Sequence, residues 1–399
     1  MKIAVWINYK FSPKIGGTFS YIDRLLKAID NYEFNGDVEV CFATSYFVEV
    51  GGLQKELIRL RSPFELILSL IPGVSKIRLL QRIARRICPA SYRKQLDENG
   101  VKIMFYPSQF GRHIDKFPFI VSHWDIAHRS TYAFPEFSLR LHKERNMYYR
   151  DFLPKALLVF AESEAGKDEL LKYTMMNADR IHVVPIFPGE CSTMDVTPQD
   201  QKDILDKMGL QKNKYFYYPS QFLAEKNHIT VLKAFCKFSQ SHPDYKLVFT
   251  GASSKLLFGT LDYIKSEADK LGLLDRVVFA GFIDIKKVSC LYRNASAHIM
   301  ASFVGPTNMP PLEAMFVGCP VICSDLSGHK EEMGDAAIYF DAIDCNQLAE
   351  SMEKLVKNRD LYLQRIEKRS KDCQFTVENA LRSINEGFIK AARIRSTWA

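Results

Sequence analysis

The amino-acid sequence predicts an α/β protein built from two Rossmann-like, doubly wound domains. The chain has 399 residues, about the length of two average domains. Short apolar runs of strand type alternate with segments of helical periodicity through both halves, which favours parallel sheets. We expect a first domain over 1–190, a linker and lead-in helix over 191–213, a second domain over 214–375 and a final helix over 376–399.

Composition argues against several other classes of protein. Apolar residues make up 47% of the chain and charged residues 25%, as in ordinary soluble proteins. The sequence has no run of 18 apolar residues, and its apolar start is too short for a secretory signal, so we expect a cytoplasmic protein. The nine cysteines lack metal-ligand spacing, which predicts buried free thiols and no metal site.

The first predicted strand, Lys2–Asn8, leads through a glycine-containing loop into a helix. Gly16 and Gly17 lie in that loop, and the helix is expected from about Thr18 to Ile29. This order is typical of the opening of a Rossmann-like unit, although the G-x-G-x-x-G pattern is absent. A plain turn that needs positive φ is the alternative interpretation of the glycine pair. The second strand is predicted over Val38–Thr44.

The segment 55–94 carries a charge equal to the net charge of the whole chain. Its ten basic residues and two acidic residues give 10 − 2 = +8, and the whole chain is also +8. We expect two helices over 53–96, broken at Pro72-Gly73, the second with an apolar stripe. Such a helix suits an anionic membrane surface, and the alternative is a solvated face of a packed helix. No nucleic-acid-binding module is recognisable, so we expect no nucleic-acid partner.

Polar residues follow two of the remaining first-domain strands, which are predicted at Val101–Tyr106, Phe119–Ser122 and Leu157–Ala161. The second of these strands leads into His123, Asp125 and His128. Each histidine is a candidate to contact substrate, and the alternative is a satisfied partner of Asp125. After the third strand, Ser163 is a plausible N-cap for a helix that reaches Tyr173.

The second domain is predicted to open with a strand at Tyr215–Tyr218. We expect a helix to start at Glu225–His228, and a further strand runs from Tyr245 to Gly251. A lysine at a helix start, as predicted for Lys226, is unfavourable next to the helix dipole. This favours a functional role over that of an ordinary surface residue.

The sequence 299–323 combines a strand end, a loop and a helix start. Gly305–Asn308 is a cluster of helix and strand breakers, and Pro310-Pro311 suits the first helical turn. Asn308 is positioned to cap that helix. Free backbone N–H groups and the helix dipole make such a corner a site for anions. Glu313, within the helix, suits the vicinal hydroxyls of a sugar.

This stretch resembles the core motif of the retaining GT-B glycosyltransferases of the glycogen-synthase and sucrose-synthase-like group. Their pattern is Glu-x7-Glu followed by small and apolar residues. The positions that match its second half are Pro310, Glu313, Ala314, Gly318, Pro320, Val321 and Ile322. Gly305 stands where the first glutamate is expected, and Gln221 stands where an arginine is usual. Ser163, Glu164, Lys167 and Leu170 also match a stretch of this family.

The resemblance implies the GT-B fold, in which two Rossmann-like domains face a cleft and the last helix crosses back to the N-terminal domain. It also implies transfer that retains the anomeric configuration. Because no Asp-x-Asp occurs, the usual diphosphate ligand of a metal-dependent route is missing, and we expect metal-independent transfer. Lys226 and backbone N–H groups would then meet the charge on the leaving diphosphate. The implied donor-binding residues are Gly16, Gly17, Gln221, Lys226, Gly251, Gly305, Thr307, Asn308, Met309 and Glu313. The implied catalytic residues are Lys226, Glu313, His123, Asp125 and His128.

The expected partners are a UDP-, GDP- or dTDP-sugar donor and a saccharide or lipid-linked glycan acceptor, with no further cofactor. This chemistry fits the assembly of cell-surface polysaccharide, with the enzyme peripheral on the inner face of the membrane. Two alternatives remain at this point. One is an NAD-dependent oxidoreductase, against which the missing glycine pattern argues. The other is a non-catalytic component of a polysaccharide assembly complex, since Gly305 and Gln221 replace expected polar groups.

Overall fold

A computed structural model describes residues 1–7, 17–45, 50–62, 90–109, 114–252 and 260–398. Within these residues the chain forms two parallel β-sheets flanked by helices, so the predicted α/β class is confirmed. The predicted site residue Gly16 and most of the predicted basic helical pair, at 63–89, lie outside the described residues.

The first sheet has seven strands in the order β3-β2-β1-β4-β5-β6-β7. Neighbouring strands are parallel. Their bounds are β1 (Lys2–Ile7), β2 (Glu39–Ser45), β3 (Leu57–Leu60), β4 (Val101–Tyr106), β5 (Phe119–His123), β6 (Leu158–Ala161) and β7 (Ile181–Val183).

The start of the basic segment is a strand, and the helix predicted there is wrong. Leu57–Leu60 pairs with β2, where Phe42 lies opposite Leu57 and Ser45 lies opposite Leu60. Ile58 and Leu60 are buried, whereas Arg59 between them is exposed. This alternation has period two, so it places one face of β3 on the core and the other in solvent. At the end of the segment, residues 90–98 are helical as predicted.

The second sheet has six parallel strands in the order β10-β9-β8-β11-β12-β13. Counted from β8, this order is 3-2-1-4-5-6, which is the order of a dinucleotide-binding fold. The strand bounds are β8 (Tyr215–Pro219), β9 (Lys246–Thr250), β10 (Val277–Gly281), β11 (Ala297–Met300), β12 (Val321–Ser324) and β13 (Ala337–Phe340).

Helices connect the strands in both halves of the chain. Those that flank the first sheet are Gly17–Asn31, 90–98, Ala127–Ser130, Leu139–Met147 and Glu164–Tyr173. Those of the second half are Pro198–Met208, His228–Ser241, Thr260–Lys270, Ile285–Asn294, Met309–Phe316, Ser327–Met333, Cys345–Lys357 and Arg359–Asp372. The last helix is Val377–Ser396. No described helix is long and apolar enough to cross a bilayer.

Local capping explains where two of these helices begin. The predicted N-cap Ser163 accepts a hydrogen bond from the backbone N–H of Gly166 at 2.9 Å. Thr197 forms a capping box with Asp200 and is followed by Pro198 at the first helical position. Both arrangements satisfy backbone donors that the first turn of a helix leaves free.

The last helix packs on the first sheet, as predicted. Its buried residues Ala380, Ile384 and Phe388 belong to the same hydrophobic core as β1 and β4. The imidazole Nε2 of His182, in β7, lies 2.8 Å from the carbonyl oxygen of Ser383. The two halves of the chain are therefore joined by a helix as well as by the segment between the sheets.

The described cysteines are all free thiols, and most of them are buried. Cys319 and Cys323, the pair with close spacing, lie in the core of the second domain. Burial raises the pKa of the Cys319 thiol to about 12, so this group is neutral at physiological pH. The prediction of buried free thiols is confirmed for the described residues.

Candidate active site in the interdomain cleft

The candidate site lies where the strand order of the second sheet reverses. β8 and β11 are neighbours in that sheet, and the helices that follow them, His228–Ser241 and Met309–Phe316, continue the chain beyond their carboxyl ends. In open α/β sheets this reversal creates a crevice at the carboxyl ends of the strands, and ligands bind there. The loops 220–227 and 301–308 line this crevice. They contain five of the predicted site residues, Gln221, Lys226, Gly305, Thr307 and Asn308.

The loop after β11, residues 301–308, depends on two glycines. Gly305 has φ of +111°, which side-chain-bearing residues rarely adopt. A Cβ on Gly305 would lie 2.8 Å from the carbonyl oxygen of Thr307. The second glycine is Gly328, in the helix Ser327–Met333, where a Cβ would overlap the carbonyl oxygen of Pro306. This backbone therefore has no room for a side chain at either position.

Asn308 lies at the N-cap position as predicted, but its side chain does not cap the helix. Its amide nitrogen instead contacts Nε2 of His329 at 3.0 Å and the carbonyl oxygen of Val304 at 3.3 Å. The backbone N–H of Asn308 donates to a carboxyl oxygen of Glu332 at 3.0 Å. The side chain thus holds the loop to the following helix.

His329 and Glu332 support the loop from below, and sequence reasoning missed both. His329 Nδ1 lies 2.8 Å from the carbonyl oxygen of Ser324, so Nδ1 carries the proton and Nε2 is free to accept from Asn308. Burial lowers the pKa of His329 to about 4 and raises the pKa of Glu332 well above its ordinary value. His329 is therefore uncharged at neutral pH. The sequence contains no local motif that predicts either residue.

Lys226 lies in a 3₁₀ turn, Ala224–Lys226, and the helix begins two residues later at His228. The sequence-based placement of Lys226 at the helix start is therefore shifted. Its Nζ lies 3.2 Å from a carboxyl oxygen of Glu225 and 3.4 Å from the hydroxyl of Ser302. Since both side chains of this ion pair are mostly buried, the ammonium group is held at the crevice between the two loops.

Gly251 permits a close approach of two loops beside Gln221. A Cβ on Gly251 would overlap the carbonyl oxygen of Ser220 and would lie 3.0 Å from the backbone nitrogen of Gln221. The backbone N–H of Ser220 donates to the carbonyl of Thr250 at 2.8 Å. The structure thus brings Gln221 and Gly251 together. Gly17 is the first residue of the helix Gly17–Asn31.

Glu313 is buried beneath the segment that joins the two halves of the chain. Its Oε2 accepts a hydrogen bond from the hydroxyl of Tyr292 at 3.2 Å. Gly189 passes so close that a Cβ there would overlap Oε1 of Glu313. The joining segment is held in turn by Arg24, whose guanidinium donates to the carbonyl of Gly189 at 3.0 Å and to the hydroxyl of Ser192 at 3.1 Å.

Burial is also the main reason that the pKa of Glu313 rises to about 7. Hydrogen bonds from Cys191, Tyr292 and Gly189 and the charge of Arg24 partly offset this effect. The carboxyl therefore changes its charge near neutral pH.

His123, Asp125 and His128 lie together, but neither histidine pairs with Asp125. The carboxylate of Asp125 forms a salt bridge with Arg145 and accepts from the backbone N–H of Ala127. His123 Nε2 lies 2.8 Å from the hydroxyl of Tyr149. His128 stacks on the same tyrosine ring with centroids 5.0 Å apart. The interpretation of a histidine as the partner of Asp125 is therefore wrong.

Both histidines are buried and uncharged. Burial lowers the pKa of His123 and of His128 to about 4, so neither carries a proton at neutral pH. They lie at the end of β5, where the carboxylate of Asp125 accepts from the backbone N–H of Ala127, the first residue of the helix Ala127–Ser130. A part for these residues in catalysis stays a prediction.

Several contacts join the two domains across the cleft. The hydroxyl of Thr307 lies 3.4 Å from Oε1 of Glu162. The phenyl rings of Phe134 and Phe303 stack with centroids 5.3 Å apart, and Glu136 accepts from the backbone N–H of Ala224. The carboxylate of Glu331 accepts from the backbone N–H groups of Glu164 and Ala165 at 3.0 and 2.8 Å.

Among these cross-cleft residues, Thr307 was predicted from the sequence, and Glu162 could also have been found there. Glu162 follows β6 directly, at the edge where polar residues of a parallel sheet meet a ligand. Glu136 follows Pro135 in a 3₁₀ turn, and Glu331 lies on a helix with no recognisable motif. Their contacts depend on how the two sheets face each other.

Comparison with known proteins finds a family match in the second half of the chain. Residues 200–372 match the family Glycosyl transferases group 1. This stretch contains β8, β11 and both crevice loops.

Curated relatives match at low identity. Mannosylfructose-phosphate synthase from Agrobacterium fabrum is 22% identical over 51% of this chain and 46% of its own length. Alpha-monoglucosyldiacylglycerol synthase from Streptococcus pneumoniae is 28% identical over 43% of this chain and 38% of its own. The serotype-specific mannosyltransferase WbdA from Escherichia coli is 21% identical over 72% of this chain and 37% of its own. The chain spans less than half the length of each of these relatives.

Solved structures match the whole chain. A glycosyltransferase from Rickettsia africae has a TM-score of 0.69 at 16% identity, with 98% of each chain covered. Anabaena Alr3699/HepE in complex with UDP and glucose has a TM-score of 0.68 at 18% identity, with 98% of this chain and 99% of that chain covered. The likeness establishes the fold, and the predicted GT-B architecture is confirmed.

Proposed function

We propose that the chain is a glycosyltransferase that moves a sugar from a nucleotide-sugar donor to a saccharide or lipid-linked saccharide acceptor. The observation that carries this proposal is the crevice between β8 and β11. There a lysine, Lys226, contacts Ser302 in the loop 301–308, which leads into the start of a helix. Ammonium groups and free backbone N–H groups are the usual partners of phosphate, and the crevice falls within the matched segment 200–372.

In the proposed reaction the crevice holds the nucleoside diphosphate, which leaves as the sugar is transferred. Lys226 meets the negative charge that grows on the leaving phosphate, together with backbone N–H groups near Met309. Glu225 and Ser302 hold the ammonium group in position before the donor arrives. A fixed charge of this kind needs no reorganisation during the reaction. We propose that the transfer retains the anomeric configuration and uses no metal ion.

We propose that Glu313 binds the ribose hydroxyls of the donor. Its carboxyl group lies one turn into the helix that follows the loop, and Tyr292 orients it. Ribose binding requires the joining segment at Gly189 to move away from Oε1, since the two are in close contact. Donor binding would thus be linked to a change in how the two domains face each other.

The proposed setting is the assembly of cell-surface polysaccharide or glycolipid at the cytoplasmic face of a membrane. Relatives with names of this kind include an O-antigen chain mannosyltransferase and a glucosyldiacylglycerol synthase. The basic segment 55–94 supports a membrane contact through its charge of +8. The sugar and the nucleotide are left to experiment.

A thermal-shift screen over UDP-, GDP- and dTDP-sugars tests the proposal. A donor that binds only the folded state raises the melting temperature by mass action. We expect sugars of one nucleotide class to do so. We expect Glu313→Ala to weaken the binding of that donor by about 2 kcal/mol or more. Glu367→Ala is the control, because Glu367 is an exposed carboxylate paired with Lys371. A folded chain that no nucleotide or nucleotide-sugar stabilises would refute the proposal.

A second candidate function is a non-catalytic, donor-binding component of a polysaccharide assembly complex. It is favoured by Gly305 and Gln221, which replace the glutamate and the arginine that the resemblance predicts. Slow hydrolysis of the donor without acceptor, followed over days, separates the two candidates. An enzyme releases nucleoside diphosphate at a rate that Lys226→Ala reduces, whereas a binding component releases none.

A further inference from the structure

We propose that Glu162 binds a hydroxyl of the sugar that is transferred and helps to select that sugar. This inference rests on the proposed function. It assigns to the first domain a carboxyl group that the loop of the second domain does not provide.

Glu162 is fixed at the carboxyl end of β6, on the edge of the first sheet that faces the cleft. Its backbone carbonyl accepts from the backbone N–H of Ile186 at 3.0 Å, and the next residue, Ser163, caps the helix Glu164–Tyr173. Gly166 in that helix leaves room for the carboxyl group, since a Cβ there would lie 3.1 Å from Oε2. The side chain is therefore held by its surroundings rather than free to swing into solvent.

The two carboxyl oxygens of Glu162 have different partners. Oε1 accepts from the hydroxyl of Thr307, which belongs to the crevice loop of the other domain. Oε2 has no hydrogen-bond partner among the described residues, although Glu162 is only 5% exposed. A buried polar atom without a partner costs free energy, and such atoms in native proteins call for an explanation. A ligand hydroxyl would satisfy it.

The electrostatic surroundings favour a neutral carboxylic acid. Burial raises the pKa of Glu162 well above its ordinary value, and the nearby carboxylates of Asp125 and Glu169 raise it further. A neutral carboxylic acid both donates and accepts hydrogen bonds. A sugar hydroxyl also does both, so the two groups are complementary, whereas a phosphate group offers mainly acceptors. The chemistry therefore matches the sugar rather than the diphosphate.

The position across the cleft points to the same part of the donor. The proposed sites for ribose and diphosphate, Glu313 and Lys226, belong to the second domain. The transferred sugar must leave that domain for an acceptor on the other side, so it meets the first domain. Thr307 and Glu162 form one of the contacts that join the loop to the first domain. Since Thr307 is part of the cover over Glu162, opening the cleft would uncover the carboxyl group.

The loop 301–308 contains no carboxyl group that could bind the sugar in place of Glu162. Gly305, two residues before Thr307, has φ of +111° and no room for a Cβ. A carboxyl from the first domain would supply the missing group without straining the loop.

The test compares binding of a nucleotide-sugar with binding of its nucleoside diphosphate by isothermal titration calorimetry. The probes are the donor that the thermal-shift screen identifies and the same nucleoside diphosphate without the sugar. We expect Glu162→Ala to lower the affinity for the nucleotide-sugar about tenfold, which is the scale of one hydrogen bond. Its affinity for the nucleoside diphosphate should stay within about twofold of the wild-type affinity, because that part of the donor is proposed to bind the second domain. Glu162→Gln keeps a neutral donor and acceptor, so we expect it to stay close to wild type.

Glu331→Gln is the matched control. Glu331 is another carboxylate that joins the two domains, but it binds backbone N–H groups of Glu164 and Ala165. If Glu162 only held the two domains together, Glu162→Ala and Glu331→Gln would each change the affinity for both ligands by the same factor. That result would overturn the inference. Unchanged nucleotide-sugar binding in a folded Glu162→Ala would also overturn it, as would equal losses in Glu162→Ala and Glu162→Gln.

A series of deoxygenated donors locates the contact. For the donor that lacks the bound hydroxyl, wild type and Glu162→Ala should bind alike, whereas every other deoxy donor should keep the difference between them. A difference that survives in all of the deoxy donors would contradict a direct contact with the sugar. If wild type binds no nucleotide at all, the proposed function fails first, and the two failures are thereby distinguished.

Discussion

The carbonyl group of Pro306 rests directly on Gly328, in the space that a side chain would otherwise occupy. A Cβ on Gly328 would overlap the carbonyl oxygen of Pro306 and would lie 3.1 Å from the nitrogen of Thr307. Two segments that are 22 residues apart in the chain are therefore in backbone contact. The shape of the crevice loop depends on the helix Ser327–Met333 below it.

Gly328→Ala is expected to displace the loop and weaken donor binding. The added methyl group must push the loop outward, and overpacking of this kind typically costs about 1–3 kcal/mol. Gly51→Ala is the control, because a Cβ there would meet no atom within 4 Å and its effect should stay within about 0.5 kcal/mol. Thermal melts and donor titrations measure both effects. Equal melting temperatures and equal donor affinities for the two variants would contradict the contact.

Glu313 should make stability depend on pH in a predictable direction. Its pKa in the folded chain is about 7, above the ordinary value of 4.5, so ionisation opposes folding. The stabilising contribution is complete below pH 4.5 and is lost as the pH rises to 7, by about 3 kcal/mol in all. Relative to Glu313→Gln, wild type should therefore lose stability over this range.

Chemical denaturation of wild type and Glu313→Gln between pH 4 and 8 measures this difference. Other buried carboxyl groups, such as Glu162 and Glu332, titrate in both proteins and cancel in the comparison. Parallel stability profiles would mean that the pKa of Glu313 is the same in the folded and the unfolded chain.

Removal of Lys226 should reduce kcat more than it raises KM. The charge that it meets grows as the diphosphate departs, so its effect is larger in the transition state than in the bound donor. We expect Lys226→Ala to lower kcat by about a hundredfold, as the loss of one stabilising donor does elsewhere. Lys214→Ala is the control, since Lys214 is an ion-paired lysine at the amino end of β8, away from the crevice at the carboxyl ends. A normal kcat in Lys226→Ala would exclude this role.

The basic segment 55–94 should bind anionic vesicles in a salt-dependent way. Each basic residue near such a surface contributes about 1 kcal/mol within a Debye length of about 8 Å. If half of the ten residues are close enough, the sum is about 5 kcal/mol before ordering costs, which suffices for reversible binding. Co-sedimentation with anionic and neutral vesicles at low and high salt measures it. Absence of binding to anionic vesicles at low salt would point to a solvated helix face and a soluble acceptor.

Much of the fold could be predicted from the sequence because strands, turns and caps are local. The bounds of β4 agree with the predicted run Val101–Tyr106, and β8 begins at Tyr215 as predicted. The cap at Ser163 also followed from residue types that satisfy backbone donors within one turn. β3 was missed because it has only four residues, and its alternation of apolar and basic residues suits a strand as well as a helix face.

The sequence by itself predicted that Lys226 and Glu313 each follow a strand of the second domain, because the order of strands and motifs along the chain can be read from local patterns. Only the tertiary structure decided what these groups contact. Glu313 is covered by Gly189, and Asp125 pairs with Arg145. Glu162 meets Thr307 across 145 residues of chain. Side-chain partners at such separations are set by how two folded sheets face each other, and no local pattern in the sequence encodes that geometry.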